Sequence, residues 1–458
     1  MPCDDANCSE RGLLRRGWPI LLAFLASACA QVPPPSSGNT TVPPPMEILR
    51  LDSPAGAFAP LTLDVTPIGP ASADALLAPV APAVAPTAFT HLFGGLDQAS
   101  RGVASVTTGP WRKRWSSRLA PEFGTFGLLA AGDRVLVVGR LHELISDTGS
   151  KLYSGLTGSA LPGLFPAAKA WLTIDGAGNL QRRSLDGAEL EFTSPAFGGD
   201  EYTYNFVALR GDAYLVAGSE RRLDPHGGRK PSLAQLHRLE MKPPFKIDPS
   251  DRLLLEAGGG EALQLPSTVL VPVANGDRLV VATQNLLLLS DFALAGRRAL
   301  AGDFVPLAAS MDHGGNLHLI VRAKQSVQYW AVSADGRRRR EMALTAALPQ
   351  RIVPPILGYD GRVFLQLADR IIAVASDGSQ QASLRLRDPG ARAIAQPDGS
   401  LIVADGSTIW HFDRELRATS LVETGGDPLR TAAIALTNDR IYAASDSTLY
   451  CFERSGAQ

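Results

Sequence analysis

The feature that most constrains this 458-residue chain is a repeat. The apolar run "IIAVASDGS" from Ile371 has relatives in "ELISDTGS" from Glu143, "LQRRSLDGA" from Leu180, "AQLHRLE" from Ala234 and "LLLLSDFALAG" from Leu286. The series continues with "VQYWAVSADGR" from Val327, "IWHFDRELR" from Ile409 and "LYCFERSG" from Leu449. The copies recur at roughly 37 to 55 residues, the spacing of propeller blades. A second apolar run precedes each across a short gap: "AWLTID" at 170, "GDAYLVA" at 211, "GNLHLIV" at 315, "DGRVFLQL" at 360 and "NDRIYAA" at 438 are examples. Gaps of a few residues permit antiparallel hairpins and exclude parallel crossovers, which need a dozen or more.

These runs are almost continuously apolar. A half-buried strand alternates, whereas a strand covered on both faces does not. Radially stacked blades cover both faces of their inner strands, so the pattern favours an all-β propeller of four-stranded antiparallel blades over an open sandwich. Arg-rich stretches such as "RRALA" from Arg297, "RRRREMAL" from Arg337 and "RATSL" from Arg417 supply polar outer strands that discourage edge-to-edge pairing. The copies give eight blades, with seven the alternative. The last copy ends without an outer strand of its own, while "RKRWSSRL", Arg112 to Leu119, has outer-strand character and precedes the first copy. It is expected to complete the final blade. Composition agrees, with 44 Gly, 34 Pro and 19% charged residues, and no 3.6-residue apolar period extends beyond about three turns. A net charge of -1 disfavours nucleic acid as a partner.

The N-terminus carries an address. Arg11, Arg15 and Arg16 precede an apolar core from Trp18 to Leu25 and then small residues, the layout of an export signal. The stretch is shorter than the roughly 20 residues needed to span a bilayer. Leu25-Ala26-Ser27-Ala28-Cys29 resembles the lipobox of bacterial lipoproteins, which implies cleavage before Cys29 and lipidation of its sulfur. An ordinary secretory cleavage site and a twin-arginine signal at Arg15-Arg16 are the alternatives. Ala30, where Asp would be the family's inner-membrane retention signal, implies the periplasmic face of the outer membrane. Residues 1–28 are then the signal peptide, 29–89 a lipidated Pro/Ala-rich linker and 90–458 the propeller. "VPPPSSGNTTVPPP" from Val32 reads as a semi-rigid spacer, and the Ala/Pro-rich stretch from Pro70 to Ala88 as loosely ordered. Of the cysteines Cys3, Cys8, Cys29 and Cys451, cleavage leaves no pair for a disulfide.

The repeats resemble those of the PQQ-like propellers, the quinoprotein alcohol dehydrogenase-like group: two apolar strands, an Asp-Gly turn, then a polar strand often carrying Trp. "HLFGGLDQASRGVASV", His91 to Val106, followed by Trp115, looks like the lead-in of such repeats, with Gly94 where Arg is usual and Ala104 where Ser would be. "PDGSLIVADGSTIWHFDREL" from Pro397 also resembles NHL-type repeats. Quinone binding would require, by the same resemblance, a pair of adjacent cysteines that the chain lacks, so no cofactor is expected. Among lipid-anchored members, the resemblance to the propeller lipoprotein of the outer-membrane protein assembly machinery implies a scaffold that contacts envelope protein partners through its loops; a monomeric propeller is expected, with catalysis the lesser alternative.

Asp200, Glu201, Tyr202 and Tyr204 in "GGDEYTYNF" are the residues most suited to a ligand at the channel mouth, where they would offer charge and stacking. The bland alternative is a polar loop entering an inner strand. An enzyme or a binding protein for a small molecule or glycan in the channel is the second functional expectation. His313 and His318 flank a turn with Asp312 as the one candidate third ligand; a solvated turn is the simpler reading, and no metal is expected. "GRRRRE" at 336 reads as a solvated outer strand or, given the membrane address, an anionic-surface patch. Glu220 to Pro231 is an insertion within one blade, placed to meet a partner.

Overall fold

The computed structural model describes residues 46–455 with short interruptions; within 46–62 and 192–268 it describes the backbone of the strands alone. Among the described residues there are eight antiparallel-based sheets, and helix is limited to one 3-10 turn, Pro166–Ala168. The chain is an eight-bladed β-propeller. Blade I comprises Thr125–Ala131, Arg134–Gly139, Leu141–Ile145 and Lys151–Leu156, and blade II comprises Gly163–Phe165, Ala170–Ile174, Asn179–Ser184 and Leu190–Ala196. Blade III is built from Tyr202–Arg210, Ala213–Glu220, Leu233–Met241 and Ala257–Pro266, and blade IV from Leu270–Asn275, Arg278–Thr283, Leu286–Asp291 and Arg298–Ala301. Blade V holds Val305–Met311, Leu317–Ala323, Ser326–Val332 and Arg339–Ala343. Blade VI holds Ile356–Leu357, Val363–Gln366, Arg370–Val374 and Gln380–Arg385; blade VII holds Arg392–Ala395, Leu401–Asp405, Thr408–Phe412 and Ala418–Glu423.

Every copy of the sequence repeat is the third strand of its sheet, and the run before it is the second. Blade VIII is Ala433–Leu436, Arg440–Ala444 and Thr448–Arg454, completed by Trp111–Arg118. That N-terminal strand pairs antiparallel with the last one, Cys451 opposite Trp115 and Thr448 opposite Arg118. The expected closure is therefore present, and Arg112 and Arg114 bind the Glu453 carboxylate at 2.8 and 2.6 Å across it.

The core is a series of wedges between neighbouring sheets. Leu129, Leu136 and Leu144 of blade I pack with Leu164 and Trp171 of blade II. Val280 and Leu287 of blade IV meet Met311, Leu319 and Trp330 of blade V. Ile409 of blade VII, Ile441 and Phe452 of blade VIII, and Val135 and Ile145 of blade I share another wedge, so the hydrophobic seam continues across the point of closure. Each fully buried Leu, Ile or Val in such a wedge contributes about 2 kcal/mol. Both faces of the inner strands are covered, as their apolar runs predict: Ala170–Ile174 and Leu401–Asp405 are buried throughout. Cys451 lies fully inside this core as a thiol, and burial pushes it up to about 12.

Outer strands are more exposed than the strands inside them, with one instructive exception. Trp111–Arg118 and Ala418–Glu423 carry mostly exposed side chains, whereas Ala299 and Leu300 in Arg298–Ala301 are buried. The reason is Val65–Pro67, which lies parallel to that strand as a fifth member of the sheet, Leu300 opposite Thr66. The chain continues along the rim: Gly69 N–H donates to Gly336 O at 2.9 Å and Ser72 N–H to Arg339 O at 2.8 Å. The described part of the Ala/Pro-rich stretch is thus docked by backbone hydrogen bonds, not loosely ordered. Farther back, Met46–Leu51 and Phe58–Leu63 extend the sheet of blade III.

Candidate functional site at one end of the channel

Each innermost strand ends in a turn to its second strand, and these turns surround one end of the central channel. The segment from Asp97 to Gly102 runs along that end, past blades IV to VII. The carbonyls of its first four residues are engaged: Met311 N–H donates to Asp97 O at 2.9 Å, Leu357 N–H to Ala99 O at 3.0 Å and Ala395 N–H to Ser100 O at 2.9 Å. Ser310 Oγ donates to Gln98 O at 2.9 Å, and Gln98 Nε2 reaches Pro272 O at 2.8 Å. Six residues thus tie together blades IV, V, VI and VII. Gln98 and Ser100 take φ values of +52° and +49° to do so, a left-handed conformation costing about 1 kcal/mol or more for each.

Arg101 is the centre of this strap. Its side chain is 3% exposed, and it donates through Nε to Leu357 O at 3.0 Å and through Nη2 to Val80 O at 3.2 Å. Nη1 stands 3.8 Å from the Asp97 carboxylate, with the guanidinium 5.6 Å from the centre of the Tyr359 ring. The Tyr359 hydroxyl donates to Gly102 O at 2.8 Å. Burial pushes the Asp97 carboxyl above the ordinary range, against the pull of Arg101, although 24% of its side-chain surface remains accessible.

Beside the strap, Asp312 is fully buried and its carboxylate accepts from Val80 N–H, Asn316 N–H and Asn316 Nδ2, each at 2.8 Å. Burial raises this carboxyl, but His318 and these donors together hold it below the usual value. His318, also fully buried, keeps Nδ1 2.8 Å from the Tyr329 hydroxyl and Nε2 3.8 Å from Asp312. Burial lowers the imidazole, so it is neutral near pH 7. Val80 is held on both sides, since His313 N–H donates to its carbonyl at 2.9 Å. The polar groups of this cluster address the protein's own backbone. The arrangement is built to seat two crossing segments, and it presents no activated nucleophile.

His313 and His318 do not converge, and the turn is only partly solvated: His318 is buried while His313 is exposed. Among the described residues no three His, Cys, Asp or Glu side chains gather closely enough to hold an ion. Cys29, Asp200 and Glu201 lie outside the described residues. Tyr202 and Tyr204 open the innermost strand of blade III, opposite Glu220 and Gly218, at the end away from its turn into the second strand. Asp97 and Arg101 were missed as a pair. Their signal was present in "DQASRG", an acid and a guanidinium four positions apart in a stretch otherwise without charge.

No protein-family model matches the chain, and no curated protein does. Among solved structures, BamB from Moraxella catarrhalis is similar, with a TM-score of 0.52 and 11% identity, over 76% of this chain and 99% of that one. The computationally designed Ika8 protein is similar with a TM-score of 0.50 and 8% identity, over 75% of this chain and 99% of that one. At such identities the likeness is one of architecture: this chain is a β-propeller.

Proposed function

We propose that this protein is a lipid-anchored periplasmic propeller of the PQQ-like kind, held at the outer membrane through Cys29, and that it works as a scaffold for envelope proteins, in their assembly. The observation that carries the scaffold reading is the strap. At one end of the channel Asp97 to Ser100 spend their carbonyls on neighbouring blades, which makes the strap part of the ring's own framework and leaves partners its rim and loops. The lipobox-like Leu25 to Cys29, the Pro-rich spacer after it and the sequence resemblance to the assembly-machinery lipoprotein support the address and the role. Two or more acyl chains would hold such a domain stably, where one would not.

Crosslinking in intact envelopes, followed by mass spectrometry, tests the role. A reproducible protein neighbour that is lost with Cys29→Ser supports it. Recovery of the protein without neighbours, in the soluble periplasmic fraction for both forms, overturns it.

A second reading rests on Tyr202 and Tyr204, which open an innermost strand at the end away from the strap. A small molecule or glycan would bind there with Asp200 and Glu201. Asp200→Ala with Glu201→Ala separates the two readings: a scaffold retains its crosslinks, whereas a channel-binding protein loses its phenotype.

A further inference from the structure

The rim of blades IV to VI concentrates positive charge in a chain whose net charge is -1. Arg298, Arg337 and Arg338 are exposed there, Arg337 at 84%. They follow one another from blade to blade at the end of each sheet where the third strand turns into the fourth. Arg298 of blade IV donates to the Asp335 carbonyl of blade V, and the Arg340 guanidinium of blade V packs on Gly378 of blade VI. The carboxylates nearby offset this positive charge only in part: Asp291, Asp335, Asp377 and Glu341 stand against Arg297, Arg298 and Arg337 to Arg340. Asp291, Asp335 and Asp377 cap their own turns through Ala295, Arg337 and Ser379 N–H, and Arg337 approaches Asp335 only to 4.0 Å. Glu341 stands 3.7 Å from Arg339 and 4.0 Å from Lys324, loose contacts that water screens.

The N-terminal segment shares this rim. Val65–Pro67 lies on the outer strand of blade IV, and Gly69, Ala71 and Ser72 lie along blade V beside Arg337 and Arg339. The part of the chain that leads to the membrane anchor is therefore fastened where the arginines are. Among the described residues Val80 is the one exposed large apolar side chain, so contact along this rim would be electrostatic and without insertion.

We propose that the arginine belt of blades IV to VI is a docking surface for anionic phospholipid, laying the propeller rim-first against the bilayer. Guanidinium groups bind phosphate oxygens in a two-pronged geometry that ammonium groups cannot match, and clusters of such cations gather at anionic surfaces within a Debye length. The proposal rests on the reading of Cys29 as an anchor, and its test does not.

The full chain carrying Cys29→Ser is floated with vesicles of zwitterionic phosphatidylcholine or of the same lipid mixed with phosphatidylglycerol. The neutral vesicles report any contribution of the N-terminal apolar segment, which is common to all variants. Flotation with the anionic vesicles, reversed by salt and weakened at least tenfold by Arg337→Glu with Arg338→Glu, is expected. Arg337→Gln with Arg338→Gln should fall between, and an unchanged melting curve shows that the ring is intact. Equal flotation with both vesicle types, none with either, or indifference to charge reversal overturns the belt; so does capture by an acidic polypeptide without vesicle binding. Each of those results leaves Cys29-dependent fractionation untouched, so the two readings fail separately.

Discussion

Trp115 donates its indole N–H to the carbonyl of Asp147 at 2.6 Å, which fastens the closing strand of blade VIII to a turn of blade I. The ring is thus sealed twice, once by strand pairing inside a sheet and once by a side chain between sheets. Gly149, with φ +82°, lets that turn lie against the indole, where a Cβ would meet the ring at 3.0 Å.

Trp115→Ala should destabilise the fold by about 2–3 kcal/mol, from lost packing on Tyr442 and a lost hydrogen bond. Gly149→Ala should cost about 1–2 kcal/mol through its positive φ and the contact with Trp115. Urea unfolding of both variants and of the pair checks this: because both break one contact, the double variant should lose less than the sum.

Gly69→Ala should lift the rim segment from blade V, since the new Cβ would stand 2.0 Å from Arg337 O. Limited proteolysis should cut faster between residues 70 and 90, with little change in global stability. Gly276→Ala is the control. It carries backbone strain at φ +58° but meets nothing within 4 Å, and should leave those cuts unchanged.

Arg101→Met should cost about 2–4 kcal/mol, because Leu357 O and Val80 O lose a charged donor in a buried place. Asp97→Asn should act in the opposite sense. The folded-state pKa of Asp97 is raised, so the native state is penalised progressively as pH climbs through the interval between the unfolded and folded values, and by a constant amount above it. Unfolding curves at several pH values should therefore show Asn gaining on Asp across that interval and no advantage below it.

His142 predicts acid sensitivity. Buried edge-on to Trp171 at 6.3 Å, it is pushed down from 6.5 to about 4. Below pH 6.5 the unfolded chain takes a proton that the folded one refuses, so stability falls until about pH 4. At about 1.4 kcal/mol for each pH unit the loss approaches about 3.5 kcal/mol. Comparison of wild type with His142→Gln at pH 7.5 and 4.5 should show a smaller drop in the variant.

Second and third strands were legible because their apolar runs report burial on both faces, as in Leu317–Ala323, and because Gly and Asp mark the turns, as at Gly399 with φ +84°. Closure was legible from a shortage, the missing partner of Thr448–Arg454. The innermost strands were not; Ile356–Leu357 has two residues, too few for any period. The strap and rim segment were hidden for another reason. Val80, Ala99 and Ser100 are placed by backbone hydrogen bonds, and side-chain pattern keeps no record of which carbonyl a remote N–H will find. Around Tyr202 and Tyr204 the sequence located an inner strand, while its ligand role stays a proposal.

The pairing of Trp111–Arg118 with Thr448–Arg454 also imposes an order in time. Arg112 and Glu453 are 341 positions apart, so the ribosome makes most of the polypeptide between this early strand and its mate. Until then that strand must wait unpaired, and contacts so distant in sequence form slowly. Its Arg112, Lys113 and Arg114 keep it hydrated meanwhile, and the two arginines, a safeguard against misassembly for the nascent molecule, become a clasp for the finished one.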